Sequence, residues 1–249
     1  MTNGVAMIDC HVHALDPQRF PFAADTPYRP SGAEVGTPDQ LGRLLDTLAR
    51  SDGRYKGVAV VRNDASRTEL QDLQAAGIVG VAFNVALLGI DFYRDLGPLL
   101  ERLRELGLWA QVQVEGDQLA ALAPMLRDSG AKLLFDHCGR PNLRAGTAQP
   151  GFAALLALAV TGRACVKLSG YVKFSRQAHP HDDAAPYVRA LLEAFTPAAL
   201  VWASDWPFLR APSRPDYGSL LALFEHLVPD EAARRAIGSE TPRRLFGFA

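Results

Sequence analysis

Cysteine is scarce in this 249-residue chain, which holds three: Cys10, Cys138 and Cys165. The number is odd and no Cys-x-x-Cys pair occurs, which argues against a disulfide scaffold and a zinc finger and leaves free buried thiols. An excess of charge is missing too, since 26 basic against 27 acidic residues give a net charge of −1, with no run of Lys or Arg. Binding nucleic acid or an anionic membrane surface needs a concentrated basic face, so neither is expected. Long hydrophobic runs are lacking, and none of the apolar stretches reaches the roughly 20 residues that span a bilayer. Met1-Thr2-Asn3-Gly4 does not open a charged segment followed by a long apolar one, so the expectation is a cytoplasmic protein. Internal linkers, repeats and low-complexity tracts are also lacking, and a single domain over residues 1–249 is expected.

What the chain does have is 48% hydrophobic residues, enough for a sizeable core. Short runs of Val, Leu and Ala alternate with longer helix-period segments, the pattern of βα units around a parallel sheet. Seven strands are predicted, near 5–10, 57–61, 78–83, 108–114, 132–136, 164–169 and 200–204. Several are apolar throughout, as in strands covered on both faces. Thr37-Pro38-Asp39-Gln40 reads as a helix cap before Leu41, Leu44, Leu45 and Leu48, Ser66 and Glu69 form a capping pair, and a third helix runs from Asp95 to a stop at Gly107. A closed (β/α)₈ barrel needs eight strands. Leu41 to Lys56 passes from a helix through Ser51-Asp52-Gly53-Arg54-Tyr55 straight into the 57–61 strand, leaving no place for another. The expected fold is therefore α/β, a TIM-barrel-like (β/α) barrel with one βα unit missing near the N-terminus.

Three strand ends carry chemistry: His11 and His13 after the first strand, Asp136-His137 after Leu133-Leu134-Phe135, and Ser204-Asp205 after Val201-Trp202-Ala203. Parallel-barrel hydrolases gather imidazoles and a carboxylate at the C-terminal ends of strands, where several strands converge on one mouth. Alternation along a strand places Asp9, His11 and His13 on one face and Cys10 on the helical side. Two chemistries suit this set. A divalent metal on His11, His13, His137 and Asp205 lowers the pKa of bound water to about 7. Without metal, the three imidazoles polarise a carbonyl while Asp205 takes a proton from attacking water.

The ordered pieces Ile8-Asp9-Cys10-His11-Val12-His13, Lys56-Gly57-Val58-Ala59-Val60-Val61, Gly80-Val81-Ala82-Phe83-Asn84, Asp136-His137-Cys138-Gly139-Arg140-Pro141, Val166-Lys167-Leu168-Ser169-Gly170 and Ser204-Asp205-Trp206-Pro207 together resemble the amidohydrolase superfamily. Within it they look like the amidohydrolase-2 branch of 2-pyrone-4,6-dicarboxylate lactonase and sugar-acid lactonases, over nearly the whole chain. The resemblance implies a distorted TIM barrel that hydrolyses lactones with no obligatory metal. Phe83-Asn84 and Gln111-Val112-Gln113-Val114 do not supply the additional ligands of binuclear relatives. Ala82 and Phe208 stand where relatives specific for the pyrone dicarboxylate often carry an arginine and a histidine, which points away from that compound.

Arg140, in a family-like His-x-Gly-Arg, is the leading candidate to hold a substrate carboxylate bidentately. Lys173, Arg176, Arg210 and Arg214 are weaker candidates, since a loop arginine is usually solvated or ion-paired. His179 and His181 read as solvent-exposed in a polar loop, His226 as a helix-surface residue, and Asp9 as orienting the histidines. The expected function is a hydrolase that opens a carboxylate-bearing lactone, acting on a small acidic substrate, with a homo-oligomer allowed. The alternatives are a mononuclear zinc or manganese hydrolase or decarboxylase using the same four residues, and a non-catalytic barrel that binds an acidic metabolite.

Overall fold

The computed structural model describes residues 6–13 and 40–248. Six parallel strands form one curled sheet, a half-barrel in the order β1 (Gly57–Ala59), β2 (Ile78–Asn84), β3 (Trp109–Gln113), β4 (Lys132–Phe135), β5 (Ala164–Leu168) and β6 (Leu200–Trp202). Parallel neighbours require crossovers. The helices are α1 (Gln40–Ala49), α2 (Arg67–Ala75), α3 (Val85–Leu88), α4 (Gly97–Leu106), α5 (Gln118–Asp128), α6 (Pro150–Leu158), α7 (Tyr171–Phe174), α8 (Ala185–Phe195), α9 (Tyr217–Leu227), α10 (Glu231–Arg235) and α11 (Thr241–Phe246).

Local signals behave as their chemistry dictates. Ser66 and Glu69 cap α2 reciprocally, Glu69 N donating to Ser66 Oγ and Ser66 N to Glu69 Oε2. Gly107 ends α4 in the left-handed conformation at φ 68°. That helix starts at Gly97, two residues after the expected Asp95, with Pro98 in its first turn. The Thr37-Pro38 cap expected for α1 lies outside the described residues.

The expected strand at 5–10 is an extended segment instead. Its hydrogen bonds are divided: Ile8 N donates to Gly238 O, whereas Cys10 N and His13 N donate to Trp202 O and Trp206 O. A single bridge, Val12 to Trp206, ties it alongside the end of β6. Splitting its donors between Gly238, in the π-helical stretch 236–240, and Trp202 and Trp206 prevents a regular ladder. Among the described residues no strand lies between α1 and β1, as the polar Ser51–Tyr55 stretch implied.

The core lies between the outer face of the sheet and the helices. Phe83, Val112, Phe135, Val166 and Trp202 pack there with Leu99, Leu103, Leu126, Leu155 and Leu191. Each fully buried leucine contributes about 1.5–3 kcal/mol of transfer free energy. On the inner face, Trp109, Leu134, Cys165 and Val201 form a smaller apolar layer. Leu245 and Phe246 of α11 close it from below. Among the described residues no helix is long and apolar enough to cross a membrane.

Candidate active site

Residues two apart on a strand share a face. One step beyond the apolar layer, β3 therefore presents Gln111 beyond Trp109, β4 leads from Leu134 to Asp136, and β5 presents Lys167 beyond Cys165. These polar groups meet. Lys167 Nζ donates to Gln111 Oε1 at 2.8 Å and lies 3.1 Å from His11 Nδ1 and 3.0 Å from Asp136 Oδ1. Gln111 Nε2 donates to Asp136 Oδ2 at 3.0 Å. The Lys167 side chain is 2% exposed and that of Asp136 3%.

Above this layer sit the histidines. His11 Nε2 is 3.2 Å from His13 Nε2, and the His11 ring lies 4.8 Å from that of His137. Asp9 does not face the cluster with them, contrary to expectation. Its Oδ1 accepts from the backbone N–H groups of His11 and Ser204, and its Oδ2 from the Tyr217 hydroxyl. Cys10, expected to face the helical side, packs against the inner layer of Trp109, Leu134, Cys165 and Val201. Both corrections share a cause, because strict alternation applies to a regular ladder and residues 6–13 do not form one. Asp9 holds the backbone of His11 through its N–H.

His137 and Asp205 owe their positions to turns. Residues 137–140 all adopt positive φ, including 53° at His137 and 43° at Arg140. Backbone strain of this kind costs about 1–3 kcal/mol per residue and persists where the surroundings enforce it. Here Gly139 N donates to Asp136 O and Arg140 N to His137 O. His137 Nδ1 is held 2.9 Å from Ser169 Oγ. Gly170 lets the ring fit, since a Cβ there would stand 2.6 Å from His137 Cγ. Asp205, at φ 66°, is anchored through its N–H to His11 O.

Asp205 Oδ1 lies 3.6, 3.8 and 3.9 Å from Nε2 of His137, His11 and His13, beyond hydrogen-bond range but bridgeable by one oxygen atom. Asp205 Oδ2 meets Lys173 Nζ at 2.6 Å. Burial holds His137 well below its ordinary pKa, with help from His11 and the two lysines. Burial pushes Asp136 up, but neighbouring positive charge, Lys167 first, outweighs it and holds the carboxyl well below the usual range. All three cysteines are free, and burial pushes each thiol up to about 12, which removes them as nucleophiles.

The structure thus brings His11, His13, His137, Asp205 and Lys173 together. Arg140 pairs with Glu115 at 2.9 Å and keeps a buried Nε without a hydrogen-bond partner. Arg176, Arg210 and Arg214 are exposed. His181, expected to be exposed, is 7% exposed and bonds Gln177 O through Nδ1, whereas His179 is exposed as expected. His226 is on the surface of α9 and pairs with Asp182. Sequence reading gave no site role to Gln111, Lys167 and Ser169, and named Asp136 only as part of a strand end that carries chemistry. The available signal was Lys167 itself, a charge inside an otherwise apolar strand.

Donor chemistry fits a divalent ion in number and spacing. His11, His13 and Asp205 offer three ligand atoms within 4.8 Å of one another, as do His11, Asp136 and His137. Each set also has a lysine ammonium on its carboxylate, at 2.6 Å on Asp205 and 3.0 Å on Asp136.

The half-barrel with imidazoles and carboxylates at its strand ends defines a hydrolase-type centre of the amidohydrolase kind. The chain belongs to the amidohydrolase family, whose model matches residues 8–248. It is 32% identical to a 4-sulfomuconolactone hydrolase from Rhizobium radiobacter, covering 96% of this chain and 89% of that protein. It is 26% identical to a 2-pyrone-4,6-dicarboxylate hydrolase from Comamonas testosteroni over the same shares. The structure of a probable 2-pyrone-4,6-dicarboxylic acid hydrolase from Acinetobacter baumannii, with citric acid bound, superposes with a TM-score of 0.84 at 25% identity, covering 97% of this chain and 99% of that one.

Proposed function

We propose that this protein hydrolyses a lactone bearing a carboxylate or similar anionic group. The observation that carries the reading is Asp205 Oδ1 facing three imidazole Nε2 atoms at 3.6–3.9 Å. Water attacks the ring carbonyl carbon and gives a proton to Asp205, while His11, His13 and His137 stabilise the developing oxyanion. The ring C–O bond then breaks, its electron pair stays on the departing oxygen, and that oxygen takes the proton from Asp205. Lys173 pairs with Asp205 Oδ2 at 2.6 Å, leaving Oδ1 to face the imidazoles. Arg140 supplies the anchor for the acidic group, with Arg176 and Arg210 adding positive charge at the mouth. Relatives named for hydrolysis of sulfomuconolactone and pyrone dicarboxylate support an acidic lactone as the substrate class.

A second reading is favoured by the His11–His13–Asp205 donor set. Those residues, with His137, would hold one zinc or manganese ion, whose chemistry is to lower the pKa of bound water. The test is turnover of a panel of acidic lactones, followed with a pH indicator before and after exhaustive chelation. Turnover that survives verified metal removal and falls roughly 10²–10⁴-fold in Asp205→Asn supports the first reading. Turnover that tracks metal content supports the second. If no lactone turns over while acidic lactones still raise Tm, the barrel binds without catalysis.

A further inference from the structure

We propose that Lys167 is a positioning residue that fixes His11 as the Nε2–H tautomer, making it a hydrogen-bond donor to the reacting oxygen and denying Nε2 to a metal ion. This rests on reading the cluster as the centre of a lactone hydrolase. An ammonium group has three N–H donors and no acceptor. Buried at 2% exposure, Lys167 has three neighbours within reach: Gln111 Oε1 at 2.8 Å, Asp136 Oδ1 at 3.0 Å and His11 Nδ1 at 3.1 Å. An ammonium can only donate to Nδ1, which needs a lone pair on that nitrogen and places the ring N–H on Nε2.

Asp136 is the competitor. Its Oδ1 is 3.3 Å from His11 Nδ1, and a carboxylate there would ordinarily draw the proton to Nδ1. That is the carboxylate–histidine–metal arrangement, in which Nε2 is left free to ligate. Asp136 Oδ1 has no hydrogen-bond partner by geometry, whereas Lys167 Nζ, which can only donate, stands closer to the same Nδ1 at 3.1 Å. The lysine therefore stands where it reverses the polarity of the pair. With Nε2–H established, His11 aims a donor at the space shared with His13 Nε2 and Asp205 Oδ1, where an oxyanion needs one.

Two measurements test this, neither using lactone turnover, so its failure and the failure of the lactonase reading are separable. In ¹⁵N-labelled wild-type protein, two-bond ¹H–¹⁵N correlations for His11, assigned by their loss in His11→Gln, are expected to show a neutral ring protonated at Nε2. A proton on Nδ1, or on both nitrogens, overturns the proposal, and this arm needs no folded Lys167 variant. The second measurement is titration with cobalt(II), read by visible absorption and by bound-metal stoichiometry. Lys167→Met frees Nδ1 to donate to Asp136 and is expected to bind cobalt roughly 10–100-fold more tightly than wild type. Equal affinity in the two folded proteins overturns it.

Discussion

Trp109, Leu134, Cys165 and Val201 pack together at one level of the sheet's inner face, and Gln111, Asp136 and Lys167 stand two residues further along three of the same strands. The lower level is apolar and closed by α11. The upper level buries an ion pair and an amide where apolar side chains of similar size would also fit. A buried pair seldom stabilises more than a well-packed apolar replacement, because desolvation offsets its Coulombic attraction. On the proposed reading the lower layer serves stability and the upper one serves chemistry, and the boundary between them is a single step of strand periodicity.

The most severe way to break this contrast is to remove one member of the upper pair. Asp136→Ala leaves Lys167 buried and uncompensated, and a loss of about 3–5 kcal/mol is expected in denaturant unfolding. The triple change Gln111→Leu, Asp136→Leu and Lys167→Met, which continues the lower layer upward, is expected to match or exceed wild-type stability while abolishing lactone turnover. A triple variant less stable than Asp136→Ala would sink the contrast. In the lower layer, Leu134→Ala is expected to cost about 2–5 kcal/mol. Its KM for any lactone found to turn over should stay near the wild-type value.

Gly170→Ala probes the histidines above the upper layer without altering any charge. The added methyl meets the His137 ring, and a displacement near 1 Å is expected to lower kcat roughly a hundredfold. An unchanged kcat would show that His137 does not need its present position.

Acid should act mainly on the upper layer. Because the native pKa of His137 is depressed, the unfolded chain binds a proton that the native state does not. Stability is therefore expected to decline as pH falls below about 6.5, the unfolded histidine value. The depressed Asp136 extends the decline below about 3.9, where unfolded carboxylates protonate. Denaturant midpoints across that range check this, and a flat profile would contradict it. The smallest effect belongs to the exposed Arg62–Asp64 pair: Asp64→Asn is expected to leave Tm unchanged, since surface pairs contribute little.

The strand pattern and the four central residues were legible, two of the four because the apolar runs of β4 and β6 stop at polar residues. His137 and Asp205 stand at such stops. The segment at 6–13 was legible as a carrier of His11 and His13 but not in its facing. Its partners are Trp202, Trp206 and Gly238, far along the chain, and they divide its hydrogen bonds. Lys173 was visible only as a charge near a strand end; that its ammonium meets Asp205 depends on the turn after β5. Arg140 was singled out for its spacing from His137, and the structure adds that it pairs with Glu115.

By itself the sequence determined the α/β class, the order of the strands and the residues available for chemistry, because those depend on periodicity and local turn propensity. Tertiary structure alone decided which polar groups meet. The meeting of Lys167 with His11, Asp136 and Gln111 joins four separate segments. No local rule encodes it, because the register of neighbouring strands sets those distances.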